Sequence, residues 1–178
     1  ARSAGQFLLD SRKFEGDAKD RCYWPTVEGT SASLGHGAAG VSLFLLYLYL
    51  ATGDEKYLAV GRDGIEWVLG RGIRNSDGGL SWFARDETQS YTPYWRWGSS
   101  GIGRVLLRYW HATGEQRYGD KLDEIHVDCD RKYTIFPGYF FGIAGVAELY
   151  LDMARFARWE ALALASTRKL LSGCMLFP

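Results

Sequence analysis

The side chain best suited to proton transfer in this sequence is a histidine between two glycines. His36 lies within Gly35–Val41, which reads GHGAAGV and leads directly into an apolar stretch. Because an imidazole titrates near neutral pH, His36 is a natural acid or base for a reaction at physiological pH. The glycines let the backbone turn sharply where a helix begins, and the first N–H groups of such a helix can bind an anion or a polarised carbonyl. The alternative is a structural role, in which His36 caps its helix or bonds to a loop carbonyl.

The segment that contains this histidine has two further copies in the chain. The second is Arg96–Ile102, which reads RWGSSGI, and the third is Phe140–Val146, which reads FFGIAGV. All three share the pattern Gly-small-small-Gly followed by a β-branched residue, with Ile143 as the one bulky exception. Each copy precedes an apolar stretch, and the first two stretches end in the same turn, Thr-Gly followed by Asp or Glu. A pattern that recurs at so many positions predicts a repeated structural unit.

Each repeat unit is predicted to be a pair of packed helices. The first helix of a pair is apolar nearly all round, as in a helix buried between layers, and the second is amphipathic. Gly53 and Gly114 suit the left-handed conformation that ends a helix. Asp54 and Glu115 place negative charge at the start of the next helix, where the helix dipole favours it. We therefore expect an all-α fold of inner apolar and outer amphipathic helices, as in a solenoid or an α/α toroid, with units at about residues 31–72, 93–131 and 137–173.

Long, aromatic-rich connections lead into the second and third copies. Because they enter the same end of the inner helices, they should gather at one mouth of the helical array, where a concave site can form. We expect five aromatic side chains of these connections and motifs to contact a substrate there: Tyr94, Trp97, Tyr139, Phe140 and Phe141. For Trp97, Phe140 and Phe141 the alternative is a place in the core or in the cavity wall.

Outside the repeats the expectations are structural. One helix is predicted over Ser3–Arg12, a loop over Cys22–Pro25 and a short extended segment over Leu80–Ala84. His111 and His126 lie on predicted helices without the spacing of paired metal ligands, so both are expected to be structural residues.

The composition favours one globular domain, expected to span residues 1–178. Lys and Arg together number 21 and are balanced by 21 Asp and Glu, which removes the electrostatic case for binding nucleic acid or an anionic membrane surface. The longest apolar run, Val41–Ala51, is about half the length of a membrane span. The three cysteines lie far apart without a C-x-x-C pair, so we expect reduced thiols, a cytoplasmic location and Cys129 as a small core residue.

The repeated motif and the turn that follows it resemble the lanthionine synthetase C family, the cyclases of lanthipeptide biosynthesis. The resemblance rests on SLGHGAAGV, the apolar stretch after it and ATGDEKYL, and it covers about Ser31–Phe177. Members of that family are α/α toroids whose inner helices begin with such glycine motifs. The resemblance therefore implies an incomplete arc of a six- or seven-hairpin barrel, which missing repeats or a partner, a homodimer included, would complete.

The resemblance also implies a reaction. The family closes thioether rings by adding a cysteine thiol to dehydroalanine or dehydrobutyrine in a ribosomally made precursor peptide, which would be the partner of this chain. The histidine of the family's Gly-His-Gly motif, matched here by His36, is expected to protonate the enolate. Arg96 is expected to stabilise the thiolate or the enolate. The ring formed would be a lanthionine or a labionin.

Two of the copies lack the metal ligands of the best-studied family members. Those members bind zinc through a Cys and a Cys-His pair, at positions that are Arg96, Phe140 and Phe141 in this chain, and none of these three side chains is a zinc ligand. The segments WRWGSSGIG and FPGYFFGIAG are instead similar to the zinc-free cyclase domains of class III synthetases, which share one polypeptide with a lyase and a kinase. We therefore expect no metal or other cofactor in this chain. ATP or GTP with Mg²⁺ would belong to a kinase domain elsewhere in the parent protein, because this sequence has no kinase motif.

Two other classes of function stay open. A catalytically inactive toroid would bind the precursor peptide or act as a scaffold for adjoining kinase and lyase domains, and the replaced metal ligands favour it. An α/α toroid glycosidase or epimerase would need convergent carboxylates, and the connections offer Asp77, Asp86 and Glu87 without a convincing pair.

Overall fold

Helices account for most of the chain, as expected for an all-α fold. The computed structural model describes residues 1–27, 29–83, 91–130 and 136–174. Its elements in chain order are α1 (Arg2–Ser11), β1 (Lys13–Phe14), β2 (Cys22–Tyr23), α2 (Ala38–Thr52), α3 (Glu55–Gly70), β3 (Ile73–Arg74), β4 (Leu80–Ser81), α4 (Ser99–Thr113), α5 (Gln116–Cys129), α6 (Ile143–Met153) and α7 (Glu160–Cys174). None of the helices within the described ranges has both the length and the apolar character needed to cross a lipid bilayer.

Two short antiparallel strand pairs accompany the helices: β1 pairs with β2, and β3 pairs with β4. The loop predicted over Cys22–Pro25 is wrong at its start, because its first two residues form β2. A pairing of two residues is too short to leave an alternating pattern in the sequence. The extended segment predicted over Leu80–Ala84 is confirmed at Leu80–Ser81, and its last residue lies outside the described residues. The helix predicted over Ser3–Arg12 is confirmed as α1, one residue earlier.

The first two helix pairs are closed by the same turn. Gly53 and Gly114 adopt the predicted left-handed conformation, with φ values of +70° and +71°. The hydroxyls of Thr52 and Thr113 each donate to the carbonyl four residues earlier and accept from the amide two residues later. The carboxylate of Asp54 accepts an amide N–H from the first turn of α3 at 3.3 Å and so caps that helix. The Thr-Gly-acid sequence therefore ends the first helix in both units, and in the first unit its acid also caps the helix that follows.

The paired helices form two layers. Helices α2, α4 and α6 lie side by side in the first layer, and α3, α5 and α7 each pack against the helix that precedes them. The core that the layers share contains several fully buried aromatic side chains: Trp67, Tyr109, Tyr118, Tyr150 and Trp159. The hydroxyl of Tyr109 on α4 donates to the carbonyl of Ser42 on α2 at 2.8 Å, beside Gly61 of α3. A Cβ at position 61 would lie 2.2 Å from that hydroxyl, so this contact requires the glycine.

Candidate active site

Each helix of the first layer is entered through the same tight loop. The glycine before α2, α4 and α6 lies against the carbonyl oxygen six residues earlier. A Cβ at Gly37, Gly98 or Gly142 would come within 2.0, 1.7 or 2.1 Å of that oxygen, so a side chain is excluded at this position of all three motifs. The repeated glycine therefore has a steric cause, and the three loops present equivalent residues in equivalent places.

Main-chain hydrogen bonds join the three loops at equivalent positions. The amide of Gly35 donates to the carbonyl of Arg96 at 2.9 Å, and the amide of Arg96 donates to the carbonyl of Phe140 at 3.1 Å. All three residues stand at the first position of their motifs. The series therefore brings together residues that are more than a hundred positions apart in the chain, with His36 directly beside them.

His36 and Arg96 form a side-chain pair. The Nε–H of Arg96 donates to Nε2 of His36 at 2.7 Å, and the His36 amide donates to the hydroxyl of Ser33 at 3.2 Å. Because Nε2 accepts this bond, the proton of a neutral His36 ring lies on Nδ1. The N-cap residue of α2 is Gly37, which makes no side-chain capping bond, so the contact of the imidazole is with the second motif rather than with its own helix.

The guanidinium of Arg96 contacts two aromatic rings that also contact each other. Its central carbon is 5.1 Å from the ring centre of Trp97 and 5.2 Å from that of Phe141, distances at which a cation is attracted to a ring face. Within the described part of the chain, no carboxylate lies at ion-pair distance from Arg96. Arg96 thus brings a positive charge that no carboxylate among the described residues neutralises.

The predicted aromatic residues lie at different distances from this pair. The ring of Trp97 is 6.0 Å from His36 and 5.1 Å from Phe141, while Phe140 packs against Trp95 at 5.4 Å. Phe140 lines the cavity beside His36 and Arg96, and 52 % of its surface is exposed. Trp97 contacts both His36 and Arg96, Phe141 contacts Arg96, and neither of the two lines the cavity.

Tyr139 and Tyr94 support the loops around the pair. The Tyr139 ring packs against Trp95 at 5.4 Å, and its hydroxyl accepts a hydrogen bond from Arg104 at 2.9 Å. The carbonyl of Tyr94 accepts the amide of Gly98 at 2.7 Å and so shapes the second loop. These contacts stabilise the second and third loops, and none of them involves His36.

A cavity of about 730 Å³ opens beside His36 and Arg96. Much of its wall comes from residues that the sequence did not single out, including Leu8 of α1 and Trp24, which follows β2. The indole N–H of Trp24 donates to the Leu8 carbonyl at 2.8 Å, and this bond joins α1 to the segment that follows β2. No repeat pattern marks these two positions, so sequence reasoning had no signal for them.

A buried carboxylate that sequence reasoning also missed supports the second motif. Asp128, near the end of α5, accepts hydrogen bonds from Asn75 at 2.9 Å and from the hydroxyl of Ser81 at 2.5 Å. The hydroxyl of Ser99, the first residue of α4, donates to its other oxygen. Asp128 therefore ties the start of α4, directly after Arg96, to the β3–β4 hairpin.

Three of the remaining candidates, Asp77, His111 and His126, are not among the residues that line this cavity. Asp77 is exposed on the β3–β4 hairpin, and Asp86 and Glu87 lie outside the described residues. His111 is exposed on α4, and the Nε2 of buried His126 bonds to the hydroxyl of Ser166 at 2.9 Å.

The described residues do not provide the donors of a metal site. Among them, no group of three or more His, Cys, Asp and Glu side chains could hold a metal ion. Burial raises the pKa of the Cys22 thiol to about 12, so this cysteine is a poor thiolate donor. Cys129 is buried on the inner face of α5, which confirms its prediction as a core residue.

Comparison with models of protein families gives a match that covers almost the whole chain. The family model described as lanthionine synthetase C-like protein matches residues 4–175, almost the whole chain. None of the curated proteins compared with the chain is similar enough to count as a match.

Proposed function

The chain belongs to the lanthionine synthetase C-like family, and we propose on that basis that it is a lanthipeptide cyclase that works without zinc. Its substrate would be a ribosomally made precursor peptide in which dehydroalanine or dehydrobutyrine has already been formed. The reaction would add a cysteine thiol of that peptide across the dehydro residue and close a lanthionine or labionin ring. The observation that carries this proposal is the 2.7 Å bond between His36 and Arg96 at the wall of the cavity.

We propose that the three helix pairs are part of an α/α toroid with this cavity at one mouth. The side-by-side arrangement of α2, α4 and α6 supports a toroid, because each helix of that layer begins in an equivalent loop. The hydrogen bonds from Gly35 to Arg96 and from Arg96 to Phe140 support it as well, since they repeat the same step from one motif to the next.

The proposed mechanism uses His36 to carry one proton. The thiol of the substrate displaces the Arg96 N–H from Nε2 of His36, and Nε2 takes the thiol proton. The sulfur lone pair then forms a C–S bond to the β-carbon, and the electron pair of the C=C bond moves to an enolate. The imidazolium then gives this proton to the α-carbon, so the addition needs no other proton donor or acceptor.

Arg96 supplies the electrostatic part of this mechanism. Once the thiol has displaced the Arg96 N–H and Nε2 of His36 is protonated, both partners are donors and their hydrogen bond cannot re-form. The guanidinium is then released to donate to the enolate oxygen, where a positive charge lowers the energy of the developing anion. The faces of Trp97 and Phe141 keep the guanidinium within reach of the cavity.

We propose zinc independence, and with it the class III type, from the chemistry of the side chains. Zinc needs thiolate, imidazole or carboxylate donors, and the positions that match the ligands of the zinc-dependent members are Arg96, Phe140 and Phe141. A guanidinium at one of these positions would repel the metal ion. Without zinc, the thiol must lose its proton to a base, and His36 is the side chain proposed for that role.

The test is ring closure on a peptide that is dehydrated beforehand. Closure leaves the mass unchanged, so the loss of thiols that react with N-ethylmaleimide is followed by mass spectrometry. We expect His36→Ala to lower the closure rate about 10²- to 10⁴-fold, the usual contribution of a general acid or base. His111→Ala, which removes an exposed imidazole on α4, is the matched control and should close rings at the parental rate.

Two results would contradict this proposal. Closure by the parental chain at the uncatalysed rate would favour the inactive, peptide-binding or scaffolding toroid. A parental rate that a zinc chelator abolishes and added zinc restores would refute zinc independence while leaving the cyclase activity in place.

A further inference from the structure

We infer, on the basis of the proposed function, that the cavity beside His36 and Arg96 binds an apolar side chain of the peptide, next to the cysteine that reacts. The site would then select its substrate by the hydrophobicity of a neighbouring residue as well as by the thiol.

The wall of the cavity is made mainly of apolar side chains from separate parts of the fold. They are contributed by α1, the segment after β2, α2 and the residue before the second motif: Leu8, Trp24, Val41, Phe44 and Trp95. In the described lining, Arg96 is the one charged side chain, and Thr26 and His36 are the uncharged polar ones. A volume of about 730 Å³ lies in the range of ligand sites and exceeds what the thiol alone would occupy.

His36 and part of the apolar wall lie close together in the sequence, at the start of α2. His36 lies directly before α2, and Gly40, Val41 and Phe44 occupy its first two turns on the side that faces the cavity. At Gly40 the wall is main chain, because a Cβ there would lie 2.2 Å from the carbonyl oxygen of Leu34. The cavity therefore extends from the site of proton transfer along an apolar wall.

The length of a peptide residue matches this arrangement. An extended chain advances by about 3.5 Å per residue, a step that is short compared with a cavity of about 730 Å³. The residue next to a thiol held at Nε2 of His36 therefore stays beside the wall that Val41 and Phe44 help to form. The transfer of an apolar side chain from water to such a wall lowers the free energy, whereas the transfer of a serine side chain lowers it little. A lysine at that position would bring a second positive charge close to Arg96 and should be disfavoured.

The experiment uses peptides that bind without reacting. In these peptides serine replaces the reacting cysteine and alanine replaces the dehydro residue, and the position next to the serine is Leu, Phe, Ser or Lys. Calorimetric titration of the full chain should give dissociation constants about tenfold lower for Leu and Phe than for Ser, with Lys the weakest.

Two substitutions and one control place the preference in the cavity. Phe44→Ala on α2 and Leu8→Ala on α1 should each reduce the preference for Leu over Ser to threefold or less. Leu50→Ala removes an apolar side chain of α2 that is 57 % exposed and should keep the parental preference. Thermal unfolding of each variant shows whether it is folded, and the two wall positions lie on different helices, so one of them suffices.

The outcomes separate this inference from the proposed function. Equal affinity for Leu and Ser peptides, no binding of any peptide, or a preference that survives both wall substitutions would overturn the inference. A preference that either wall substitution reduces to threefold or less in a folded variant would support it. If such a preference occurs in a chain that closes no rings, the cavity is a peptide-binding site and the cyclase proposal alone fails.

Discussion

The Nε–H of Arg96 and Nε2 of His36 form a hydrogen bond of 2.7 Å between two residues that lie 60 positions apart in the chain. The bond joins the first and second glycine motifs, and it gives the imidazole a defined tautomer before any substrate arrives. It also joins a base to a cation that is not neutralised by a carboxylate among the described residues. The candidate chemistry of this protein depends on that pairing.

Substitution of Arg96 by lysine should show that the geometry of the guanidinium matters as well as its charge. Lysine keeps the charge but has neither the fixed Nε–H nor a planar group that lies over Trp97 and Phe141. We expect Arg96→Lys to lower the rate of ring closure at least about tenfold, which corresponds to one lost charge-assisted hydrogen bond. Arg155→Lys, at an exposed position after α6, is the control. A parental rate in Arg96→Lys would show that charge alone is needed.

Asp128 is expected to hold the second motif in place. In Asp128→Asn the amide can no longer accept from both the Ser81 and Ser99 hydroxyls as a carboxylate does, and a buried polar group loses a partner. We expect the free energy of unfolding to fall by about 1–3 kcal/mol, measured by urea denaturation. Asp17→Asn, at an exposed position, should leave it nearly unchanged. Equal stability of the two variants would mean that the Asp128 bonds contribute nothing.

The pH dependence of stability should reveal His126. Burial lowers the pKa of this imidazole, against the opposing effect of Asp130 and Asp123, so the folded state holds fewer protons than the unfolded state just below pH 6.5. Because the unfolded state binds the extra proton, the free energy of unfolding should fall as the pH drops below about 6.5. Because this effect involves a single proton, it changes the free energy of unfolding by at most about 1.4 kcal/mol per pH unit.

Urea denaturation of His126→Gln between pH 7.5 and 5.5 checks this dependence. The free energy of unfolding of His126→Gln should depend less steeply on pH than that of the parental chain. His111→Gln, which changes an exposed histidine, should keep the parental dependence. A slope that is the same in the parental chain and in His126→Gln would assign the dependence to other groups.

The tight loops make a sharp prediction about glycines within the repeats. A Cβ at Gly98 would lie 1.7 Å from the carbonyl oxygen of Thr92, whereas a Cβ at Gly138 meets nothing within 4 Å. Gly98→Ala should therefore lower the free energy of unfolding by about 2 kcal/mol or more or prevent folding, as overpacking does. Gly138→Ala should stay within about 0.5 kcal/mol of the parental value. Soluble yield and urea denaturation compare the two.

The repeated elements were predictable because their signals are local and occur more than once. The left-handed turns at Gly53 and Gly114 follow from a Thr-Gly-acid sequence at the same offset in two units. The helices that begin at Ala38, Ser99 and Ile143 follow from the glycine motifs and the apolar stretches after them. Because the same pattern occurs in more than one copy, a stretch whose secondary structure is ambiguous by itself can be assigned from the others.

Contacts between motifs were not predictable in the same way. Sequence reasoning selected His36 and Arg96 separately, but their hydrogen bond depends on how the first two loops stack, which is a property of tertiary packing. Leu8 and Trp24 lie outside the repeats and look like ordinary apolar residues. Asp128 looks like a polar residue at the end of an amphipathic helix until the β3–β4 hairpin is in place.

The bonds from Gly35 to Arg96 and from Arg96 to Phe140 use only main-chain atoms. The second and third loops therefore keep their alignment whatever side chain stands at positions 96 and 140. A substitution at position 96 or 140 can therefore change the chemical group at the site, for example from a cation to a thiol, while the main chain that carries it is unchanged. The same scaffold can thus be refitted for a different chemistry by substitution at a few points, without rebuilding its architecture.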